Sequence, residues 1–110
     1  KLNQEINSNF VIKKLVSQGF KVVAFGLKDG EVSGVNIDIK LKQYKSIDTI
    51  TLYLNPKRQK DYYDYIVSLN PKRVIFNPGA ENPEFYSILR ENNIYFEEAC
   101  SLVLLSTNQY

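Results

Sequence analysis

The sequence predicts an α/β fold, with a doubly wound, mostly parallel sheet and helices on both of its faces. Between residues 49 and 84 the chain twice runs from an apolar segment through a turn to an amphipathic segment, and Asn55-Pro56 and Asn82-Pro83 open the two amphipathic segments. Asn is a good helix N-cap and Pro suits the first helical turn, so a helix is predicted to begin at each pair. Right-handed crossovers make successive strands parallel, and ligands of parallel sheets usually bind at the carboxyl ends of the strands.

The first part of the chain is predicted to contain one helix, one buried strand and an extended region. Apolar residues recur at near-helical spacing over 9–18 and Gly19 follows in the C′ position, so the helix should end there. Residues 21–25 form a short, almost wholly apolar run, which is typical of a strand buried on both faces. Over 27–46 we expect no helix, because alternating apolar and polar residues from Val35 indicate an edge strand or an extended loop.

The second part is predicted to alternate strands with helices. The predicted strands are 49–54, 73–76 and 94–96. The predicted helices are 56–69, closed by Asn70, and 83–92. The apolar tail over 100–105 fits either a strand or a helix by its pattern alone.

Composition indicates one small globular domain over 1–110. The chain has 110 residues, of which 44% are hydrophobic and 24% charged, which is enough for one core and too little for two domains. No run is long and apolar enough to span a bilayer, and no signal peptide is visible. The single cysteine cannot form an internal disulfide, which fits a cytoplasmic location. The sequence begins at Lys1 and contains no methionine, so we do not expect it to be a complete translation product.

Composition also excludes several classes of function. The net charge is only +2 and the basic residues are dispersed over different predicted elements, which argues against nucleic acid as a partner. With no histidine and one cysteine, zinc sites and histidine-based catalytic triads are excluded. We therefore expect a protein with no metal site and no catalytic residues, one that binds rather than catalyses.

The first candidate site is the segment 77–83, in which two prolines and a glycine join a predicted strand to a predicted helix. One interpretation is a rigid connection, because Pro limits φ and Gly supplies a conformation that other residues avoid. The other is that Gly79 lets a ligand approach the backbone while helix N-terminal amides face an anion. The two interpretations are compatible.

The second candidate site is Gly26-Leu27-Lys28, where the second strand of a doubly wound sheet would end. Such folds often bind an adenosine ribose or its phosphate at this place. Lys28 would favour a phosphorylated ribose, although a lone lysine in a turn is more often simply solvated. Lys57 and Arg58 lie in the first turn of a predicted helix, where positive charge opposes the helix dipole, and this placement indicates an anion nearby.

Two further features have mainly structural interpretations. Tyr62, Tyr63 and Tyr65 are predicted to pack with their hydroxyls at the rim of the core, where they are also available to a partner surface. Cys100 is predicted to be a buried, inert thiol, because no histidine is available to act as its base.

With the strands assigned, the chain resembles the small stand-alone coenzyme A (CoA)-binding domains of bacteria, relatives of the CoA-binding domain of succinyl-CoA synthetase. The resemblance covers nearly the whole chain. The matching segments are Asn7-Ser8-Asn9, Lys21-Val22-Val23-Ala24-Phe25-Gly26, Leu54-Asn55-Pro56, Val74-Ile75-Phe76-Asn77-Pro78-Gly79, Glu81-Asn82 and Glu98-Ala99-Cys100. Members of that family begin with a central strand and a Gly-containing loop that contacts the phosphates. This sequence starts after that strand, and 1–8 resembles the distal half of the loop.

The resemblance implies a Rossmann-like sheet with CoA or an acyl-CoA held across the strand ends. The nucleotide part would lie near Gly26 to Lys28 and the turn at Asn55-Pro56. Asn77-Pro78-Gly79 would lie close to the pantetheine arm or to the pyrophosphate. The full set of implied ligand-binding residues is Asn7, Ser8, Asn9, Gly26, Leu27, Lys28, Asn55, Pro56, Arg58, Asn77, Pro78 and Gly79.

Our hypothesis from the sequence is a non-catalytic CoA or acyl-CoA binding module of the bacterial cytoplasm, with a small nucleotide as its ligand. The alternative is an interaction or regulatory domain that keeps the fold, has lost the ligand and uses the Tyr-rich helix as a surface. That alternative leaves a homodimer open.

Overall fold

The computed structural model of the protein describes residues 15, 17–19, 24–25, 30–32, 35–38 and 46–110. Among these residues one sheet is wholly parallel and the other combines parallel with antiparallel pairing. The chain divides into two units, one formed by Lys1–Lys42 with Leu102–Tyr110 and the other by Gln43–Ser101. In the described residues, each unit has one three-stranded sheet.

In the first unit the central strand has one parallel and one antiparallel neighbour. Strand β3 (Val35–Asp38) lies between β1 (Ala24–Phe25), which is parallel to it, and β2 (Gly30–Val32), which is antiparallel. The extended character predicted after residue 27 is therefore confirmed for the described residues. The pairing of Gly30–Val32 with this segment is a feature that the sequence did not predict.

The end of the predicted first helix also falls in this unit. Leu15 and Ser17 are helical and Gly19 follows in a turn with a φ of +87°. A Cβ at Gly19 would meet no atom within 4 Å, so glycine is required here by the backbone conformation rather than by close packing. The prediction that the helix ends at Gly19 is confirmed, while its start lies outside the described residues.

The second unit contains a wholly parallel sheet in the order β4-β5-β6. These strands are β4 (Thr49–Leu52), β5 (Arg73–Phe76) and β6 (Tyr95–Glu98). They pair residue for residue from Thr49, Arg73 and Tyr95 onward. The bounds of β5 agree with the prediction, whereas β4 ends two residues earlier than predicted. Strand β6 begins one residue later and ends two residues later than predicted.

The connections between these strands are helical, as predicted. Between β4 and β5 lie α1 (Pro56–Gln59), a 3-10 turn (Lys60–Tyr62) and α2 (Tyr63–Leu69). The single helix predicted over 56–69 is thus interrupted at Tyr62, whose φ of −118° and ψ of 2° leave the helical region. Asn70 closes α2 in the left-handed conformation with a φ of +48°, as predicted.

A regular helix follows β5, and a short one forms the tail. Helix α3 (Pro83–Glu91) joins β5 to β6. The apolar tail, for which the sequence allowed either a strand or a helix, forms helix α4 (Ser101–Ser106). None of the helices in the described part of the chain has the length and apolar character needed to cross a membrane.

The core of the second unit lies on one face of its sheet. Strand residues alternate between faces, and the register brings Leu52, Phe76 and their neighbours onto the face that packs against α2 and α3. Phe76 is central to this core, because its ring meets the rings of Phe85, Tyr86 and Phe96 edge-on at 4.7–6.0 Å between centroids. Both connecting helices therefore cover the same face, and the turns that precede them emerge at the same end of the sheet.

Candidate functional site

The connections that follow β4, β5 and β6 meet at one end of the sheet, which we call the carboxyl edge (residues 53–55, 77–82 and 99–100). Six of the predicted ligand-binding residues lie at or beside this edge: Asn55, Pro56, Arg58, Asn77, Pro78 and Gly79. Asn55, Pro56, Pro78 and Gly79 are exposed to solvent. The other six, Asn7, Ser8, Asn9, Gly26, Leu27 and Lys28, lie outside the described residues.

Asn77 is buried at the centre of this edge and is fully engaged within the protein. Its side chain is 1% exposed. The Nδ2 atom donates to the Leu52 carbonyl at 3.0 Å, and Oδ1 accepts from the Ser101 amide at 2.8 Å. Its backbone carbonyl accepts from the Ala80 amide at 2.8 Å. Asn77 therefore ties the end of β4 to the start of α4 and positions the turn that follows it, which confirms the rigid-connection interpretation for this residue.

Pro78 and Gly79 form the exposed part of the same turn. Gly79 has a φ of +93°, a conformation that L side chains rarely adopt. Its amide donates to Glu81 Oε1 at 2.9 Å. A carboxylate of the chain itself therefore occupies this N–H group, and a ligand atom that accepted from Gly79 would have to displace Glu81.

The other exposed turn is held by a helix cap. Asn55 Oδ1 accepts from the Arg58 amide at 3.0 Å and Pro56 occupies the first turn of α1, so the helix start predicted from Asn-Pro is confirmed. Lys57 is exposed and Arg58 is half-buried. Two cationic side chains thus lie beside the carboxyl end of β4.

Gln59 connects the two turns and was not predicted from the sequence. It is 0% exposed, and its Nε2 atom donates to the carbonyls of Leu54 and Ala80, each at 2.7 Å. Its Oε1 atom accepts from Asn82 Nδ2 at 2.9 Å. A signal was available, because Gln59 lies four and seven residues before the inward-facing Tyr63 and Ile66, a spacing that puts it on the inner side of a helical segment.

Asn82 extends this network to the start of α3. It is 4% exposed and caps α3, with Oδ1 accepting from the Phe85 amide at 3.3 Å. Its Nδ2 atom also donates to the Tyr63 hydroxyl at 2.7 Å, and that hydroxyl donates to Glu84 Oε1 at 3.0 Å. The cap predicted at Asn82 is confirmed, and it is a buried cap with partners on two other elements.

Tyr63 is a packing residue rather than a free surface group. Its ring stacks on Phe85 at 4.3 Å between centroids. Burial raises the pKa of its hydroxyl above the ordinary value, the hydrogen bond from Asn82 opposes this shift, and Glu84 adds to it. The packing role predicted for Tyr63 is confirmed.

The far end of the edge carries a second tyrosine and the only thiol of the chain. Tyr86 donates to Glu98 Oε2 at 2.7 Å, and burial, together with this bond, raises the pKa of Tyr86 to about 12. Cys100 is a partly exposed free thiol, so the prediction of a buried thiol is wrong. The buried residue is the next one, Ser101, which is 0% exposed and lies 3.1 Å from the Thr51 hydroxyl, because the chain turns inward as α4 begins.

The described part of the chain holds no group of three or more Cys, Asp or Glu side chains that could bind a metal ion. What the carboxyl edge offers is a set of exposed turns on a rigid frame of buried amide hydrogen bonds. Parallel strands with such turns at their carboxyl ends are characteristic of Rossmann-like α/β domains, a class whose ligands usually bind at this edge.

Comparison with known sequences identifies the family. Residues 1–106 match the sequence profile of the CoA binding domain family, and the chain belongs to that family. The resemblance found in its sequence motifs is therefore confirmed. A comparison with curated proteins gave no match.

Solved structures show the same fold. A crystal structure described as an uncharacterized protein is 43% identical and superimposes with a TM-score of 0.91, covering 94% of this chain and 86% of the other. The cell-free ID.343 structure from Thermus thermophilus is 20% identical, with a TM-score of 0.82 over 94% of this chain and 80% of the other. A conserved hypothetical protein from Pyrococcus furiosus is 26% identical, with a TM-score of 0.75 over 86% and 84% of the two chains. The predicted Rossmann-like α/β class is confirmed.

Proposed function

We propose that this protein binds CoA or an acyl-CoA along the carboxyl edge and does not catalyse its conversion. The observation that carries the proposal is the family match over 1–106. The braced, exposed turns at Asn55-Pro56 and Pro78-Gly79 support it, because a ligand gains affinity from a surface that is already ordered. A cytoplasmic location and a single domain over 1–110 are part of the same proposal.

The charges along the carboxyl edge suggest which end of the ligand lies where. Lys57 and Arg58 lie beside the end of β4, whereas Glu81 lies in the connection after β5 and Glu98 is the last residue of β6. Phosphate groups are attracted to the first pair and repelled by the second. In this proposal the phosphates of CoA bind towards α1 and the uncharged pantetheine arm lies along Pro78-Gly79.

The proposal of a binding role without catalysis also has support in the residues at the edge. The sequence contains no histidine, the commonest general acid or base near neutral pH. With its pKa raised to about 12, Tyr86 is a poor proton donor or acceptor at neutral pH. Cys100 has a partly exposed thiol and no histidine to activate it.

Calorimetric titration of the full natural chain with CoA and with dephospho-CoA tests the proposal. Binding of CoA is expected, and loss of the 3′-phosphate should weaken it by about 1–3 kcal/mol if Lys28 or Arg58 forms a charge-assisted pair with that group. If Arg58 makes the pair, Arg58→Ala should remove most of this difference. Lys60→Ala, which removes one positive charge from an exposed neighbour, is the matched control. No heat with either ligand would rule the proposal out.

The alternative, an interaction domain that uses the Tyr-rich helix, has less support. The Tyr63 hydroxyl is hydrogen-bonded to Asn82 and Glu84 and its ring is stacked on Phe85, so this side chain is committed to the fold. Size-exclusion chromatography with light scattering distinguishes the two functions, because a stable dimer without any response to CoA would favour the alternative. A homodimer stays a prediction.

A further inference from the structure

We propose that Gln59 is a positioning residue that sets the ligand-binding shape of the carboxyl edge, an inference that rests on the proposed function. One buried amide nitrogen donates to the Leu54 and Ala80 carbonyls, both at 2.7 Å. Leu54 precedes the exposed Asn55-Pro56 turn, and Ala80 follows the exposed Pro78-Gly79 turn. Gln59 therefore holds the two turns at a fixed separation from inside the protein while touching no ligand itself.

The chemistry of the position requires a carboxamide. Both N–H groups of Gln59 donate to carbonyls and its oxygen accepts from Asn82 Nδ2 at 2.9 Å, so the usual donors and acceptor of the side chain are satisfied. A carboxylate in its place would face two carbonyl oxygens without a proton to donate. An apolar side chain would leave both carbonyls without this buried donor.

The arrangement bears on affinity because the two turns come from different connections. Leu54 and Ala80 are 26 positions apart in the sequence. Without a shared donor, each turn can shift separately, and the ligand has to order both on binding. If both turns are already ordered in the free protein, the ligand does not have to order them, and it binds more tightly.

The test compares CoA binding by full-length wild type, Gln59→Met and Ile66→Val. Methionine is close to glutamine in volume but lacks the N–H groups that donate to Leu54 and Ala80. Ile66→Val shortens a buried side chain of α2, 5% exposed, that makes no hydrogen bond to either turn. Affinities are compared alongside thermal midpoints, so that a general loss of stability is separated from a loss of positioning. Gln59→Met loses both donated bonds and the bond accepted from Asn82. We expect it to bind CoA about tenfold more weakly, while Ile66→Val binds like wild type.

A second variant gives a signature that a purely structural role would not produce. In Gln59→Glu, burial should raise the pKa of the introduced carboxyl group. Its protonated form has one donor for the two carbonyls and its ionised form has none. CoA affinity relative to wild type should therefore recover as the pH falls. If Gln59→Met does not fold, this pH profile decides, and a flat profile overturns the proposal.

Amide hydrogen exchange in the wild type covers the case in which neither variant folds. The amides of Arg58 and Ala80, which donate to Asn55 and Asn77 within the two turns, should open at one common rate, and independent opening would overturn the positioning role. The outcomes also separate the role of Gln59 from the proposed function. Wild type that binds CoA with folded Gln59→Met binding equally well rejects only the role of Gln59, whereas wild type that does not bind rejects the proposed function and the role with it.

Discussion

Asn55 and Asn82 have the same role in the local sequence, but one lies at the surface and the other is buried. Each precedes a proline and caps a helix, accepting from an amide three residues ahead at 3.0 and 3.3 Å. Asn55 is exposed and caps the four-residue α1, which gives way to a 3-10 turn. Asn82 is 4% exposed, caps the nine-residue α3, and also donates to Gln59 and Tyr63.

The difference shows that the Asn-Pro pair determines where a helix starts, while burial determines how much the asparagine contributes to the free energy of unfolding. An exposed amide that loses its partner is solvated by water, so its contribution to stability is that of the cap alone. A buried amide that loses its partners leaves them unsatisfied in a medium without water, and the penalty is added to the cap. The two asparagines should therefore differ strongly in what their removal costs.

The largest expected effect is that of Asn82→Ala. Loss of the cap costs about 1 kcal/mol, and leaving the buried Gln59 Oε1 without its donor costs about 1–3 kcal/mol more. We expect a loss of about 3 kcal/mol in the free energy of unfolding, measured by urea denaturation. Asn82→Asp keeps the capping oxygen and removes both donated bonds, so it should stay well below wild type. Wild-type stability in Asn82→Asp would mean that the buried bonds contribute nothing.

A smaller effect is expected for Asn55→Ala. Only the cap to the Arg58 amide is lost, which costs about 1 kcal/mol at most in an exposed helix of this length. The same urea measurement applies, and Asn55→Ser, which restores a capping oxygen, should recover most of the stability. If Asn55→Ala costs as much as Asn82→Ala, burial does not account for the difference between the two positions.

What the sequence could predict about this fold is what short-range chemistry determines. Asn-Pro marks both helix starts, and Asn70 and Gly19 mark two helix ends through positive φ. The segment Arg73–Phe76, with three apolar residues after the arginine, gives β5 with its observed bounds. Each of these features depends on residues within one turn of the chain. The family resemblance also rested on such local motifs.

What the sequence could not predict depends on contacts between distant segments. The spacing of Gln59 allows an inward-facing position, but its partner, the Ala80 carbonyl 21 residues away, could not be predicted from that spacing. Cys100 and Ser101 are adjacent, and only the hydroxyl of Thr51 and the amide oxygen of Asn77 determine that Ser101 is the one buried. The sequence predicted the exposed turns that lie at the carboxyl edge, but not the polar frame beneath them, which comes from long-range hydrogen bonds. Ligand binding by these turns stays a prediction.

The smallest expected effect concerns pH and extends the comparison to the helices that the two asparagines cap. Tyr86, whose amide donates to the Asn82 carbonyl at 3.0 Å in the first turn of α3, has a pKa raised from 10.0 to about 12 by burial and by Glu98. Because the folded-state pKa lies above the unfolded value, the stabilising contribution is fully present below pH 10 and is lost as the pH rises towards about 12. Phenolate absorbance, compared between wild type and Tyr86→Phe, should show one tyrosine titrating near 12, and the urea midpoint should fall with pH more steeply in wild type than in the variant. If the absorbance difference between the two proteins instead has its midpoint near pH 10, the ionised Tyr86 hydroxyl is tolerated at this position. The buried start of α3 would then be no more sensitive to charge than the exposed start of α1.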